Sequence, residues 1–122
     1  MLQRPELLAS FWDNLDAFVA AHLVVVDRPR GSAHPRYPDF IYPLDYGYLS
    51  ATRGSDGSGV DVWVGNLPAR QVTGLVCTVD LLKDDLEIKL LLGCSAPEMQ
   101  AILRVHNDGG HSAILIERPE TA

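Results

Sequence analysis

The chain has 122 residues, a length that fits one domain around a single core. Hydrophobic residues make up 47% and charged residues 21%, which is not the composition of a disordered chain. The formal net charge of −6 argues against a nucleic-acid-binding protein, because such proteins normally carry a basic surface. We therefore expect a single domain over residues 1–122 that binds no nucleic acid.

The sequence also predicts a cytoplasmic protein that does not act at a membrane. No apolar run approaches the roughly 18 residues of a membrane span. Pro5, Glu6 and Asp13 interrupt the apolar residues at the N-terminus, unlike a signal peptide. Cys77 and Cys94 have no zinc-site spacing, so reduced thiols are the expectation.

The first half of the chain predicts one helix followed by strands. Pro5 suits a first helical turn, and apolar residues follow at helical spacing, which predicts a helix over residues 5–21. Residues 23–27 are β-branched and predict a buried strand, whereas the four prolines of residues 28–43 predict an extended loop. Residues 45–53 and 60–65 predict two strands, joined by the turn Gly-Ser-Asp-Gly-Ser-Gly.

The second half predicts a strand pair, a helix and a last strand. Residues 73–82 and 86–92 predict strands around a Lys-Asp-Asp turn, and 113–117 predicts another. Ser95 and Glu98 form a capping-box pattern that opens a helix to about His106, with Met99, Ile102 and Leu103 buried. The whole pattern predicts an α+β, mainly β fold: a small closed OB-like barrel flanked by an N-terminal and a C-terminal helix.

One carboxylate stands out from the ordinary turn aspartates. Val60, Val62 and Val64 alternate with Asp61 and Trp63, which places the carboxylate on a strand face where it is unfavourable unless paired or bound to metal. The Asp-Gly pair of residues 56–57 and the Lys-Asp-Asp turn, taken alone, are typical of hairpin turns.

Four segments in this order resemble the family I soluble inorganic pyrophosphatases. Residues 42–48 read Tyr-Pro-Leu-Asp-Tyr-Gly-Tyr, and 56–61 read Asp-Gly-Ser-Gly-Val-Asp, which match the family's tyrosine and aspartate motifs without a gap. Residues 28–32 and 86–90 resemble its Pro-Arg-Gly-Ser loop and Asp-x-Lys-Leu strand. The resemblance implies a pyrophosphatase-like fold, Mg²⁺ (or Mn²⁺) as the cofactor, hydrolysis of pyrophosphate or a related small phosphoanhydride, and a homo-oligomer.

The resemblance also implies a role for each matching residue. It implies metal ligands at Asp56, Asp61, Glu87 and one of Asp84 and Asp85; catalytic roles for Asp56, Asp61, Tyr46 and Lys89; and substrate contacts from Arg30, Arg36, Tyr42, Lys89 and His106. Carboxylates suit Mg²⁺, which prefers oxygen ligands, and cationic side chains suit the phosphate groups.

Some positions depart from the family pattern. Ser58 replaces an aspartate that positions or deprotonates the attacking water, and a hydroxyl cannot act as a base near neutral pH. A phosphate-binding arginine of the family has no direct counterpart, and Arg28, Arg30 and Arg53 are the candidates to replace it. Two functions are therefore compatible with the sequence: a pyrophosphatase, and a catalytically weak relative that binds a metal, a phosphate ligand or a protein.

Overall fold

The computed structural model describes residues 5–54 and 57–120, which contain two helices and six strands. The elements are α1 (Pro5–Ala20), β1 (Val24–Arg28), β2 (Asp45–Leu49), β3 (Asp61–Val64), β4 (Val72–Asp80), β5 (Asp85–Leu92), α2 (Ala96–His106) and β6 (His111–Glu117). The predicted elements are confirmed, although β2 ends four residues before its predicted end. Neither helix in this part of the chain is long and apolar enough to cross a membrane.

The six strands form one mixed sheet in the order β1-β2-β3-β5-β4-β6. β3 and β5 are parallel, and the other neighbouring pairs are antiparallel. No hydrogen bonds between the described residues join β1 to β6, so the predicted closed barrel is not confirmed. β1 was predicted to be buried, but as an edge strand it leaves Val26 38% exposed.

Each face of the sheet carries its own hydrophobic core. α1 covers one face, and α2 together with the 29–44 loop covers the other. The first core contains Trp12, Val19, Leu49, Val62, Val72, Leu75, Leu90 and Leu92, and the second contains Tyr42, Leu44, Trp63, Val76, Leu91, Cys94, Met99 and Ile102. Val62 and Trp63 are both fully buried on opposite faces, which confirms the predicted alternation in β3.

The start of α2 is tied to the sheet through its capping box. Ser95 N–H donates to Glu98 Oε1 at 2.8 Å, and Glu98 N–H donates to Ser95 Oγ at 3.4 Å, as the sequence predicts. The same carboxylate accepts a hydrogen bond from the backbone N–H of Asn66, just after β3. Gly65 allows this approach, because a Cβ there would clash with the Gly93 carbonyl oxygen and with Glu98 Oε1. The helix is thus held at a fixed position over the second core.

The far end of α2 contacts the edge strand β6 through Asn107. Its amide nitrogen donates to the carbonyl oxygen of Ala113 at 3.2 Å, and its amide oxygen accepts from the Ala113 N–H at 3.0 Å. One side chain therefore satisfies both backbone groups of Ala113 at the edge of the sheet.

Candidate functional site

The parallel pairing of β3 with β5 creates a polar cluster on the second-core face. It sets Asp61 beside Lys89, and the antiparallel pairing of β2 with β3 sets Tyr46 beside Trp63 on the same face. Lys89 Nζ donates to Tyr46 Oη at 2.8 Å, to Asp61 Oδ2 at 2.9 Å and to Glu87 Oε2 at 2.9 Å. A lysine ammonium has three N–H donors, so these partners use all of them.

Both central groups of this cluster hold their protons firmly. Burial alone would lower the pKa of Lys89, but the neighbouring Tyr46, Asp61 and Glu87 outweigh burial and raise that pKa well above 10.5. Burial, followed by the adjacent Asp61, raises the pKa of Tyr46 far above 10.0, against the opposing effect of Lys89. The site therefore contains a permanent cation and a permanently protonated phenol.

Aromatic rings line the cluster on one side. The rings of Tyr46 and Trp63 meet edge to face at 4.7 Å, and the Tyr42 ring lies 5.5 Å from that of Tyr46. Trp63 Nε1–H donates to His106 Nε2 at 3.1 Å, so the imidazole must offer a neutral nitrogen. Burial, and then the positive charge of Lys89, lower the pKa of His106 to about 3, which agrees with that role. His106 therefore packs against the site as a neutral acceptor.

Of the three candidate arginines, Arg28 is the one that the structure brings to this face. It is the β-sheet partner of Tyr46, and its guanidinium donates to Tyr42 Oη at 3.1 Å. Arg53 lines a depression on the α1 side of the sheet. Arg30 is exposed, and its described contact is a backbone hydrogen bond to Asp45 Oδ1.

The predicted substrate residue Arg36 lies in the loop above the second core. It is exposed, and its backbone N–H donates to His34 Nδ1 at 3.0 Å, while the His34 ring stacks parallel to the Tyr42 ring at 6.3 Å. Burial, and then the positive charge of Arg28, lower the pKa of His34. A neutral His34 thus supports the loop that carries Arg36.

The predicted metal ligands are not all brought together. Asp56 lies outside the described residues. Asp84 is an exposed turn residue with a φ of 54°, a conformation that aspartate tolerates in turns. Asp85 begins β5 and pairs with Asp80, roughly 13 Å along the strand from Lys89. Within residues 5–54 and 57–120, no three acidic, histidine or cysteine side chains form a metal-binding group.

Two carboxylates nevertheless meet at one point. Asp61 and Glu87 both lie 2.9 Å from the ammonium of Lys89, with 25% and 17% of their side-chain surfaces exposed. Mg²⁺ is commonly held by one or two protein carboxylates, with water and substrate phosphates as its other ligands. The two carboxylates therefore suit one such ion that is accompanied by a phosphate ligand. They are too few to fill the coordination shell of the ion with protein ligands alone.

Asp80 is a buried carboxylate that carried no predicted role. One of its oxygens accepts from the N–H groups of Leu82 and Lys83, and the other lies 3.2 Å from His111 Nδ1. Although burial opposes the shift, these backbone hydrogen bonds lower the pKa of Asp80. Asp80 organises the β4–β5 turn and pins β6 to it. Its position at the start of the turn was the available signal for this role.

Two surface depressions lie away from the cluster. One, of about 420 Å³, lies between α1 and the sheet and is lined by Phe11 and Phe18 of the helix and by Ile88 of β5, among others. The other, of about 540 Å³, lies between the start of α2 and the end of β6. The residues of the Lys89 cluster line neither depression. A ligand of the cluster would therefore approach along the sheet face, beside the aromatic rings that line the cluster.

Solved inorganic pyrophosphatases share this arrangement of strands and helices. The enzyme from Neisseria gonorrhoeae is 20% identical, with a TM-score of 0.59 over 78% of this chain and 81% of that chain. The enzyme from Helicobacter pylori is 16% identical, with a TM-score of 0.55 over 78% and 83%. An inorganic phosphatase from Anaplasma phagocytophilum is 14% identical, with a TM-score of 0.56 over 78% and 83%.

No protein-family model matches the sequence, and no curated protein matches it. The structural likeness at this level of identity concerns the fold. The chain therefore has an inorganic pyrophosphatase-like fold.

Proposed function

We propose that this protein hydrolyses pyrophosphate, or a related small phosphoanhydride, with the help of a divalent cation such as Mg²⁺ or Mn²⁺. The observation that supports the proposal is the cluster of Asp61, Glu87, Lys89 and Tyr46, on the sheet of a pyrophosphatase-like fold. Asp61 and Glu87 would hold the cation. Once bound, it would neutralise phosphate charge and lower the pKa of a bound water.

The remaining residues of the site would bind and orient the phosphate groups. Arg28 is a permanent cation on the same face, and its planar guanidinium suits bidentate contact with phosphate oxygens. The protonated Tyr46 phenol would donate one hydrogen bond of fixed direction. The Tyr42 and Trp63 rings would shield one side of the ligand from water, which strengthens each of these polar contacts.

A second candidate function is binding of a metal–phosphate ligand or a partner protein without efficient hydrolysis. Two observations favour it. Ser58 stands where the family pattern has a carboxylate, and Lys89 already occupies both carboxylates that would hold the cation. For a metal–phosphate ligand, both candidates use the same side chains and differ only in whether water attacks the bound phosphate.

Phosphate release from pyrophosphate, measured with millimolar Mg²⁺ and with chelator, tests the proposal. We expect release that needs Mg²⁺, is lost in Asp61→Asn and is retained in Asp108→Asn, a control at an exposed carboxylate. Binding of pyrophosphate without release from any phosphoanhydride would favour the second candidate. A protein that neither binds nor hydrolyses pyrophosphate would refute hydrolysis and phosphate binding alike, and would leave only the partner-protein form of the second candidate.

We also propose that the protein forms a homodimer through the part of the sheet that α1 leaves uncovered. Its residues, which we call the open face, are Val79, Leu86, Ile88, Ile114 and Ile116, and each is between 39% and 62% exposed. They are contiguous because β5, β4 and β6 are neighbouring strands. On α1 itself, Trp12 is buried against the sheet, whereas Phe11 is exposed at the border of the open face.

The size and shape of the open face favour a second copy of this chain as its occupant. With Phe11 and Phe18 it exposes roughly 700 Å² of apolar surface, close to the roughly 800 Å² that each partner buries in a standard interface. Flat sheet faces pack on one another at about 10 Å, and a two-fold axis makes one face complementary to itself. A monomer would leave this area in water.

We also propose that the protein is cytoplasmic. Cys77 and Cys94 are both free thiols, as expected in a reducing compartment. Burial, and then the nearby Glu98, raise the pKa of the Cys94 thiol to about 12, so this cysteine is unreactive at neutral pH.

A further inference from the structure

The ammonium of Lys89 lies between Asp61 and Glu87, the two carboxylates that would hold a cation. The lysine side chain is only 9% exposed, and two of its three N–H donors point to the two carboxylates. A divalent cation that bound these oxygens would have to displace the ammonium from them. The same ammonium also has no donor left for a phosphate group unless it gives up one of its present partners.

Charge balance makes this displacement depend on a second ligand. Two carboxylates and one ammonium leave the cluster with a single negative charge. A divalent cation bound alone would put two positive groups beside two shared carboxylates, in a partly buried place where their repulsion is screened less than in bulk water. A phosphate anion arriving with the cation would remove the conflict, because the released ammonium would gain a new negative partner.

We propose that Lys89 couples the binding of the cation to the binding of the phosphate compound at this site. In the unliganded protein the ammonium holds Asp61 and Glu87 together. When the phosphate ligand arrives, Lys89 moves its hydrogen bonds to phosphate oxygens and frees the carboxylates for the cation. The flexible four-carbon stem of lysine permits such a movement. The inference rests on the proposed function of the site, and it adds that neither ligand binds well without the other.

Calorimetric binding of Mn²⁺, with and without methylenediphosphonate as a pyrophosphate analogue that cannot be hydrolysed, tests the coupling. In the wild type we expect the analogue to tighten Mn²⁺ binding by about 5- to 150-fold, the usual range for coupled sites. Lys89→Met should bind Mn²⁺ alone more tightly than the wild type, and its coupling factor should be several-fold smaller. Lys83→Met removes an exposed lysine and should behave as the wild type. Equal Mn²⁺ affinities and equal coupling in the wild type and Lys89→Met would overturn the proposal.

A measurement on the wild type keeps the test independent of whether Lys89→Met folds. Lys83 and Lys89 are the chain's two lysines, so NMR signals of their side chains can be assigned to one or the other. We expect Mg²⁺ alone to leave the Lys89 signal in place, and Mg²⁺ with methylenediphosphonate to shift it, while Lys83 changes little. A Lys89 signal that is the same in both states would refute the movement. Neither measurement requires turnover, so failure to hydrolyse pyrophosphate would refute the proposed function and leave this inference standing.

Discussion

Removal of the ammonium in Lys89→Met tests how the fold tolerates its buried charges. Methionine keeps much of the length of the side chain but leaves Asp61 and Glu87 without a cation between them. Breaking a buried ion pair by removing one partner destabilises proteins by about 3–5 kcal/mol. Because the two carboxylates are 25% and 17% exposed, water compensates part of that loss, and we expect about 3 kcal/mol.

Thermal unfolding followed by circular dichroism, with chelator present, measures this effect. For a chain of 122 residues, an unfolding entropy of about 2.1 cal/mol/K per residue makes each kcal/mol worth about 4 °C. Lys89→Met should therefore melt about 12 °C below the wild type. Lys83→Met, at an exposed position, should change the stability by less than about 0.5 kcal/mol.

A double mutant separates the charge effect from lost packing. In the Lys89→Met background, Glu87→Gln removes one of two uncompensated carboxylates and should raise the melting temperature, whereas in the wild type the same change should lower it. If Lys89→Met melts within about 2 °C of the wild type, or if Glu87→Gln has the same sign in both backgrounds, the ammonium does not hold this cluster together and the reasoning fails.

The other predictions concern pH, catalysis and assembly. The pKa of His106 is about 3 in the folded chain, against 6.5 ordinarily. Its contribution to the free energy of unfolding is therefore complete above pH 6.5 and is lost as the pH falls toward 3. The loss is at most about 1.4 kcal/mol per pH unit. His106→Gln, which keeps an acceptor for Trp63 Nε1–H, should flatten the melting temperature over that range; an unchanged profile would exclude His106 as the cause. Ser58→Asp should raise pyrophosphate turnover by about 10²- to 10⁴-fold and lower the melting temperature in chelator, whereas slower turnover would mean that Ser58 belongs to a differently built site. Ile114→Glu should convert the dimer to a monomer in sedimentation at tens of micromolar protein, and a monomeric wild type would contradict the proposed interface.

Local sequence patterns predicted those features that depend on neighbouring residues. The alternation of Val62 and Trp63 assigned the two faces of β3, and Ser95 with Glu98 marked the start of α2, because both signals act within a few residues. The edge position of β1 could not be predicted this way. Strand order depends on long-range pairing, and a run of three valines suits an edge as well as a centre.

The residues of the candidate site were partly predictable from the sequence, but the hydrogen bonds between them were not. The resemblance to pyrophosphatases selected Asp61, Glu87, Lys89 and Tyr46, and the structure brings these four together. No sequence pattern indicated that all three Lys89 donors would bind protein partners, since Asp61 and Tyr46 lie 28 and 43 residues away. Their meeting depends on the parallel register of β3 and β5.

The contact of Asn107 with β6 bears on the behaviour of the protein at high concentration. β6 is a seven-residue edge strand whose outward side chains include Ile114 and Ile116, a combination that can recruit a strand from another molecule and grow into fibrils. Because the Asn107 amide occupies both backbone groups of Ala113, an incoming strand finds the middle of that edge already paired. Loss of this one amide would expose a template for cross-β polymerisation without altering the fold, so Asn107→Ala should form thioflavin-positive aggregates at protein concentrations where the wild type stays clear.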